Sequence, residues 1–275
     1  MMRPDARIKR DAFLANIGTR SLIMGILNVT PDSFFDGGRY LASGAAIARI
    51  RKMVADGCDI VDIGAESTRP EAEPVEEAVE LARLDQVLEE ATTLDVPLSI
   101  DTTKSAVAAR ALALGAVLAN DVWGLQKDPR MAHVVAEAEA AVVIMHNRME
   151  KDENLDIIAD IRRFFDRSLS IAARAGIPKH RIILDIGIGF AKTSRQNRDA
   201  IARLGDLNDY GLPIMVGASR KRFLGSLTGN GIEGTLIGTL AASFTAIAAG
   251  AAIVRVHDVA EHAAALRVLQ AMRSR

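Results

Sequence analysis

The 275-residue chain has one cysteine, Cys58, so no disulfide can form within it. That fits a reducing, cytoplasmic setting. Neither sign of charge is in excess: 34 basic and 35 acidic side chains leave a net −1. Such a balance gives no global field to hold nucleic acid or an anionic membrane, although a local basic cluster can still bind an anion. The first seven residues, Met-Met-Arg-Pro-Asp-Ala-Arg, lack the apolar core of a signal peptide. The most apolar stretch, 236–254, is rich in Ala and Gly and falls short of the ~20 strongly apolar residues of a membrane span. Common catalytic templates are missing too: there is no Walker A loop, no His-Glu-x-x-His and no Gly-x-Ser-x-Gly. The five histidines, at 133, 146, 180, 257 and 262, have no zinc spacing. His133, His180 and His262 lie in or beside helical segments and are expected at the surface, whereas His146 is expected to pack at a strand end.

What the chain does contain is alternation. Short apolar, partly β-branched runs occupy 22–28, 60–66, 96–103, 116–121, 141–147, 182–187, 213–219 and 251–258. Continuous runs of this kind suit strands buried on both faces of a parallel sheet. Between and after them, 43–57, 75–93, 104–115, 130–140, 155–175, 196–209, 233–250 and 259–273 have helical periodicity. Eight strands alternating with eight helices over roughly 250 residues is the arithmetic of a (β/α)8 TIM barrel. No Gly-, Ser- or Pro-rich linker interrupts it, so residues 1–275 are expected to form one α/β domain. A doubly wound open sheet is the alternative, but its Gly-x-Gly-x-x-Gly fingerprint is absent, since Gly187-Ile188-Gly189 continues into Phe190-Ala191-Lys192.

In such a barrel, chemistry sits at the C-terminal ends of the strands. Read in order, these ends carry Asn28, Asp62 and Glu66, Asp101, Asn120 and Asp121, His146 and Asn147, Asp185, Ser219 to Lys221, and Arg255 with His257. Segments 29–42 and 67–74 exceed the usual βα loop of ~2–6 residues, as lids and binding loops do. Arg255 and His257 are two apart and share a strand face, suited to phosphate oxygens. Lys221 and Arg222 extend a basic run just after strand seven. An anionic, phosphorylated substrate follows. Asp101 and Asp185 either neutralise Lys221 or Arg255, or accept from the planar N–H edge of a heterocycle, which the Asn120 amide would also read.

The ordered motifs resemble one family. Residues 25–38 (GILNVTPDSFFDGG) and 62–70 (DIGAESTRP) look like the two signatures of the dihydropteroate synthases. SIDTTK at 99–104, AND at 119–121, LDIGIGFAK at 184–192, GASRKRFL at 217–224 and IVRVHD at 253–258 continue the match, covering about residues 20–270. The resemblance implies a pterin-binding barrel that condenses 6-hydroxymethyl-7,8-dihydropterin pyrophosphate with p-aminobenzoate. It implies a dissociative reaction, Mg2+ as cofactor and a homodimer. Asp101, Asn120, Asp185 and Lys221 would hold the pterin. Asn28, Arg255 and His257 would hold pyrophosphate, with Mg2+ beside Asn28. Thr68, Arg69, Pro70, Phe190 and Lys221 would form the aminobenzoate site, and Asp32 and Phe34 would help close the first loop. Asp101, Asp185, Lys221, Arg255 and His257 are the residues expected to carry catalysis.

Three positions depart from the family pattern. Ile186 replaces a Pro, Glu71 replaces a Gly, and Arg222 stands where many members have a Ser. Arg222 is therefore the candidate contact for the aminobenzoate carboxylate. Two alternatives remain at this point: a corrinoid-type pterin methyltransferase, and a pterin-binding paralogue without catalysis.

Overall fold

The computed structural model describes residues 2–29, 39–66, 75–229 and 234–273, with backbone alone at 39–42 and 273. Eight strands run in chain order: β1 (Leu22–Asn28), β2 (Ile60–Gly64), β3 (Leu98–Asp101), β4 (Leu118–Asp121), β5 (Ala141–Met145), β6 (Ile182–Asp185), β7 (Ile214–Val216) and β8 (Ile253–Val256). Each pairs in parallel with the next, and β8 returns to β1, which closes the barrel. The open-sheet alternative is thereby excluded. Five successive residues of β2 and the first six of β1 are buried, because one strand face lines the barrel and the other meets helices.

Helices alternate with the strands: α2 (Arg39–Asp56), α3 (Glu77–Ala91), α4 (Ser105–Leu114), α5 (Met131–Glu137), α6 (Ile157–Ala175), α7 (Ser194–Ala202), α8 (Arg222–Thr228), α9 (Gly234–Ala248) and α10 (Val259–Arg273). Local sequence sets several ends. The Asp156 carboxylate accepts from the Ile158 and Ala159 amides to start α6, and left-handed Gly176 stops it. Thr193 and Gln196 form a reciprocal capping box at α7. The segment expected to be helical over 196–209 divides into α7 and a 3-10 turn over Leu204–Tyr210. No helix among the described residues is long and apolar enough to cross a membrane.

Two helices are not legible in the periodicity: α8, and an N-terminal α1 (Pro4–Asn16). α1 lies across the end of the barrel where the strands begin. Lys9 Nζ donates to the Thr92 and Leu94 carbonyls, Arg3 to Leu114 O and Arg10 to Glu139 O. These carbonyls close α3, α4 and α5, so two cations of α1 and its N-cap Arg3 meet the negative ends of three other helices. Beneath them, Ala6 and Phe13 enter the main core.

His262 departs from expectation. It is fully buried, with Nδ1 against Asp258 O at 2.7 Å and Nε2 against Ser243 Oγ at 3.2 Å. His133 and His180 are exposed and His146 is buried, as the sequence suggests.

Candidate active site

Strand register decides which side chains meet inside the barrel. Asp62 pairs across to Ser99, Gly64 to Asp101, Asp101 to Asn120, Met145 to Asp185 and Met24 to Arg255. Alternation along each strand sends all of these inward. Apolar side chains such as Ile60, Leu118, Val143, Ile183 and Ile253 share that inward face one step lower and are fully buried. Above them lies a polar layer at the strands' C-terminal ends.

That layer is built around Arg255. Its Nε donates to Asp62 Oδ2 and its Nη2 to Asp101 Oδ2, both at 2.6 Å. Asn120 Nδ2 donates to the same Asp62 oxygen at 2.9 Å. Burial opposes the guanidinium charge, but Asp62 and Asp101 outweigh it and push its pKa up. Asp62 Oδ1, Asp101 Oδ1, Asn120 Oδ1 and Ser99 Oγ are buried with no hydrogen-bond partner among the described residues. Burial pushes the Asp101 carboxyl up to about 7 against the pull of Arg255. Asp185 is pushed up to about 6 by burial, opposed by the Gly187 N–H that its Oδ1 accepts at 2.8 Å. The floor is therefore rich in acceptors.

The wall comes from the loop after β6 and the turn after β7. Asp101, Asn120, Asp185, Phe190, Lys221 and Arg255 line one cavity, together with apolar Val122, Met145 and Ile188. Phe190 stands over Lys221 Nζ at 4.5 Å from the ring centroid. Gly189 makes this possible, because a Cβ there would sit 3.0 Å from Lys221 Cδ. At the rim, Ser219 Oγ accepts the His257 amide at 3.1 Å and lies 2.9 Å from its Nδ1. With the Ser219 hydrogen on Nδ1, Nε2–H is the donor this imidazole offers a ligand. Burial and Arg255 push His257 down to about 4, so it meets an anion as a neutral donor near pH 7. A planar heterocycle with a donor-rich edge fits the floor, and an anion fits Lys221, Arg255 and His257 at the mouth.

Comparison with known proteins agrees with this chemistry. The family described as "Pterin binding enzyme" matches residues 24–257. Dihydropteroate synthase of Bacillus subtilis is 44% identical over 254 residues, covering 92% of this chain and 89% of that one. The chain belongs to the dihydropteroate synthase family. Two solved members superpose closely. The Clostridium difficile enzyme in the presence of pteroic acid has a TM-score of 0.90 at 44% identity, over 94% of this chain and 99% of that one. The Xanthomonas albilineans enzyme with 4-aminobenzoic acid gives 0.89 at 40%, over 93% and 94%.

Among the residues this dihydropteroate synthase family member was expected to use, Asp101, Asn120, Asp185, Lys221, Arg255 and Phe190 surround one cavity. His257 directly follows β8, and Asn28 is exposed at the end of the neighbouring β1. Arg222 is exposed at the first turn of α8. Thr68, Arg69, Pro70, Asp32 and Phe34, like Glu71, lie outside the described residues. Ile186 is fully buried in the core beside an Asp185 whose carboxylate still reaches the cavity. The polar strand ends do not all share this address. Asp121 accepts the Trp123 and Leu125 amides and so fixes a turn, and Glu66 binds Lys104 and the Val75 amide. Sequence reasoning passed over Asp62 as a site residue, although its parity with Gly64 puts it on the inward face. It also gave Ser219 no role of its own.

Proposed function

We propose that the protein condenses 6-hydroxymethyl-7,8-dihydropterin pyrophosphate with p-aminobenzoate, giving 7,8-dihydropteroate and pyrophosphate in folate biosynthesis. The observation that carries this reading is the acceptor floor: Asp101, Asn120 and Asp185, buried around one cavity with Lys221 in its wall. Asp185 accepts the amino-imino edge of the pterin, Asp101 Oδ1 and Asn120 Oδ1 accept other ring N–H groups, and Lys221 donates to ring acceptors. Phe190, Lys221 and Arg222, with Thr68, Arg69 and Pro70, receive p-aminobenzoate. Asn28, Arg255 and His257 hold pyrophosphate.

The reaction proceeds by breaking the pterin methylene carbon–oxygen bond first. Its electron pair leaves with pyrophosphate, whose growing charge Arg255 and His257 stabilise. The amine nitrogen then attacks the methylene cation and afterwards loses a proton. An aromatic amine is already nucleophilic, so no triad is needed; positioning and exclusion of water suffice. Mg2+ fits as a companion of pyrophosphate. The described residues form no cluster of three or more His, Cys, Asp or Glu for a metal, and the exposed Asn28 amide oxygen can serve as one hard ligand. Bound there, Mg2+ would neutralise charge on the leaving oxygens. One domain over residues 1–275, a cytoplasmic location and a homodimer belong to the same reading. Exposed Ile237 on α9, and Val268 and Met272 on α10, offer apolar surface to a second copy.

Calorimetry with a bare pterin tests the assignment of Asp185. Asp185→Asn removes a charge and one acceptor and should weaken binding roughly 10- to 150-fold. Unchanged affinity would leave Asp185 as no more than a neighbour of the cations around it.

A further inference from the structure

Behind the cavity wall lies a buried charged cluster that none of these roles uses. Lys192 follows the β6 loop and folds back into it. Its Nζ donates to Gly187 O at 2.7 Å, reaches Phe190 O at 3.4 Å and meets His146 Nδ1 at 2.7 Å. His146 Nε2 faces Asp160 Oδ2 at 3.2 Å, and Arg148 and Arg163 also pair with that carboxylate. Lys192 is 4% exposed and His146 fully buried. Both carbonyls around Nζ can only accept. With a hydrogen on Nε2 for Asp160, His146 turns an acceptor at Nδ1 toward the amine. An ammonium at Lys192 then satisfies all three of its neighbours; burial and Arg148 push its pKa well down, and Asp185 and Asp160 oppose that shift.

What the ammonium holds is the wall itself. Gly187, whose N–H fixes Asp185, is tied through its carbonyl to Lys192. It has a φ of 63°, and a Cβ there would lie 1.9 Å from His146 O, so the loop is pressed onto the β5 end. The same ammonium reaches the Phe190 carbonyl, whose ring covers Lys221. Asn197 takes the Gly189 N–H and Arg148 the Ala191 carbonyl. None of Lys192, His146, Asn197 and Arg148 lines the cavity itself.

We infer that Lys192 is a positioning residue: a buried amine whose hydrogen bonds, with His146, hold the 186–191 loop so that Asp185 and Phe190 keep their places in the site. The inference rests on the reading of Asp185 and Phe190 as substrate contacts given above.

Lys192→Met keeps length and removes every donor, and Lys192→Gln restores one amide donor at shorter reach. In full-length protein that is folded by circular dichroism, Lys192→Met should raise amide hydrogen exchange at 187–190 at least about tenfold. It should also raise the Kd of a bare pterin and the KM for p-aminobenzoate, each about tenfold or more, with a smaller change in kcat. Lys192→Gln should fall between it and wild type. A merely structural role would lower the melting temperature and the active fraction, leaving Kd, KM and local exchange at wild-type values, and that result would overturn the inference. If Lys192→Met does not fold, His146→Gln, which loses the link to Asp160, is measured in the same way. Faster loop exchange with weaker pterin binding supports the inference, and wild-type values contradict it. A wild type that binds pterin but makes no dihydropteroate would defeat the proposed reaction, while exchange and pterin affinity would still decide the role of Lys192.

Discussion

Asp185 is the side chain whose proposed role works most directly against stability. Burial holds its carboxyl at about 6 in the folded protein, against an ordinary 3.8. The folded state therefore binds this proton more readily than the unfolded chain. The stabilising effect of that proton is full below about pH 4 and is lost as pH rises through about 6. Ionised Asp185 at pH 8 costs about 3 kcal/mol by this linkage. Asp185→Asn should accordingly stabilise the protein by about 1–3 kcal/mol at pH 8, with the gain vanishing below about pH 4. Denaturant titrations at the two pH values check it; an equal gain at both would contradict the linkage. Arg255 is the opposite case. Arg255→Ala would leave Asp62 and Asp101 as buried carboxylates without their partner, a loss of about 3–5 kcal/mol. Chemical denaturation should show this even without ligand. Because Asp101 is bonded to Arg255, pterin affinity should fall with it, rather than pyrophosphate affinity alone.

Among the elements, α1 packs on the face of the barrel where the strands begin, and the β6 and β7 loops line the cavity at the opposite face, to which chemistry is proposed to belong. Phe13 is 4% exposed, so Phe13→Ala should cost about 3–5 kcal/mol. Turnover per folded molecule should stay at the wild-type value; a large fall in kcat with the fold intact would contradict the separation. The eight strands were legible because buried parallel strands are written as unbroken apolar runs, and several of their polar ends line one cavity. α1 was not legible because its buried face reads Ala6, Arg10, Phe13, with a cation in an apolar position. That arginine pairs with its neighbour Asp11 and donates to the Glu139 carbonyl, 129 residues away. His262 was misplaced for the same reason: its partner Ser243 lies on another helix. Asp62 was visible as a polar strand end, but its bond to Arg255 spans 193 residues. Only closure of β8 onto β1 brings the two together.

At the scale of the whole molecule, the exposed apolar side chains of α9 and α10 bear on assembly. Ile237, 63% exposed, should contact a second copy, so Ile237→Asp should shift sedimentation from dimer to monomer; a wild-type monomer at micromolar concentration would contradict the dimer. Binding order is a second whole-molecule property. If the methylene cation forms before the amine attacks, p-aminobenzoate should bind well only after Mg2+ and pyrophosphate, and tight calorimetric binding to the free protein would contradict that order. The most direct measurement is turnover itself. Wild-type protein incubated with 6-hydroxymethyl-7,8-dihydropterin pyrophosphate, p-aminobenzoate and Mg2+ should release 7,8-dihydropteroate and pyrophosphate in equal amounts, and Asp185→Asn should slow that release. Folded protein that binds the pterin yet forms no dihydropteroate would contradict the assignment.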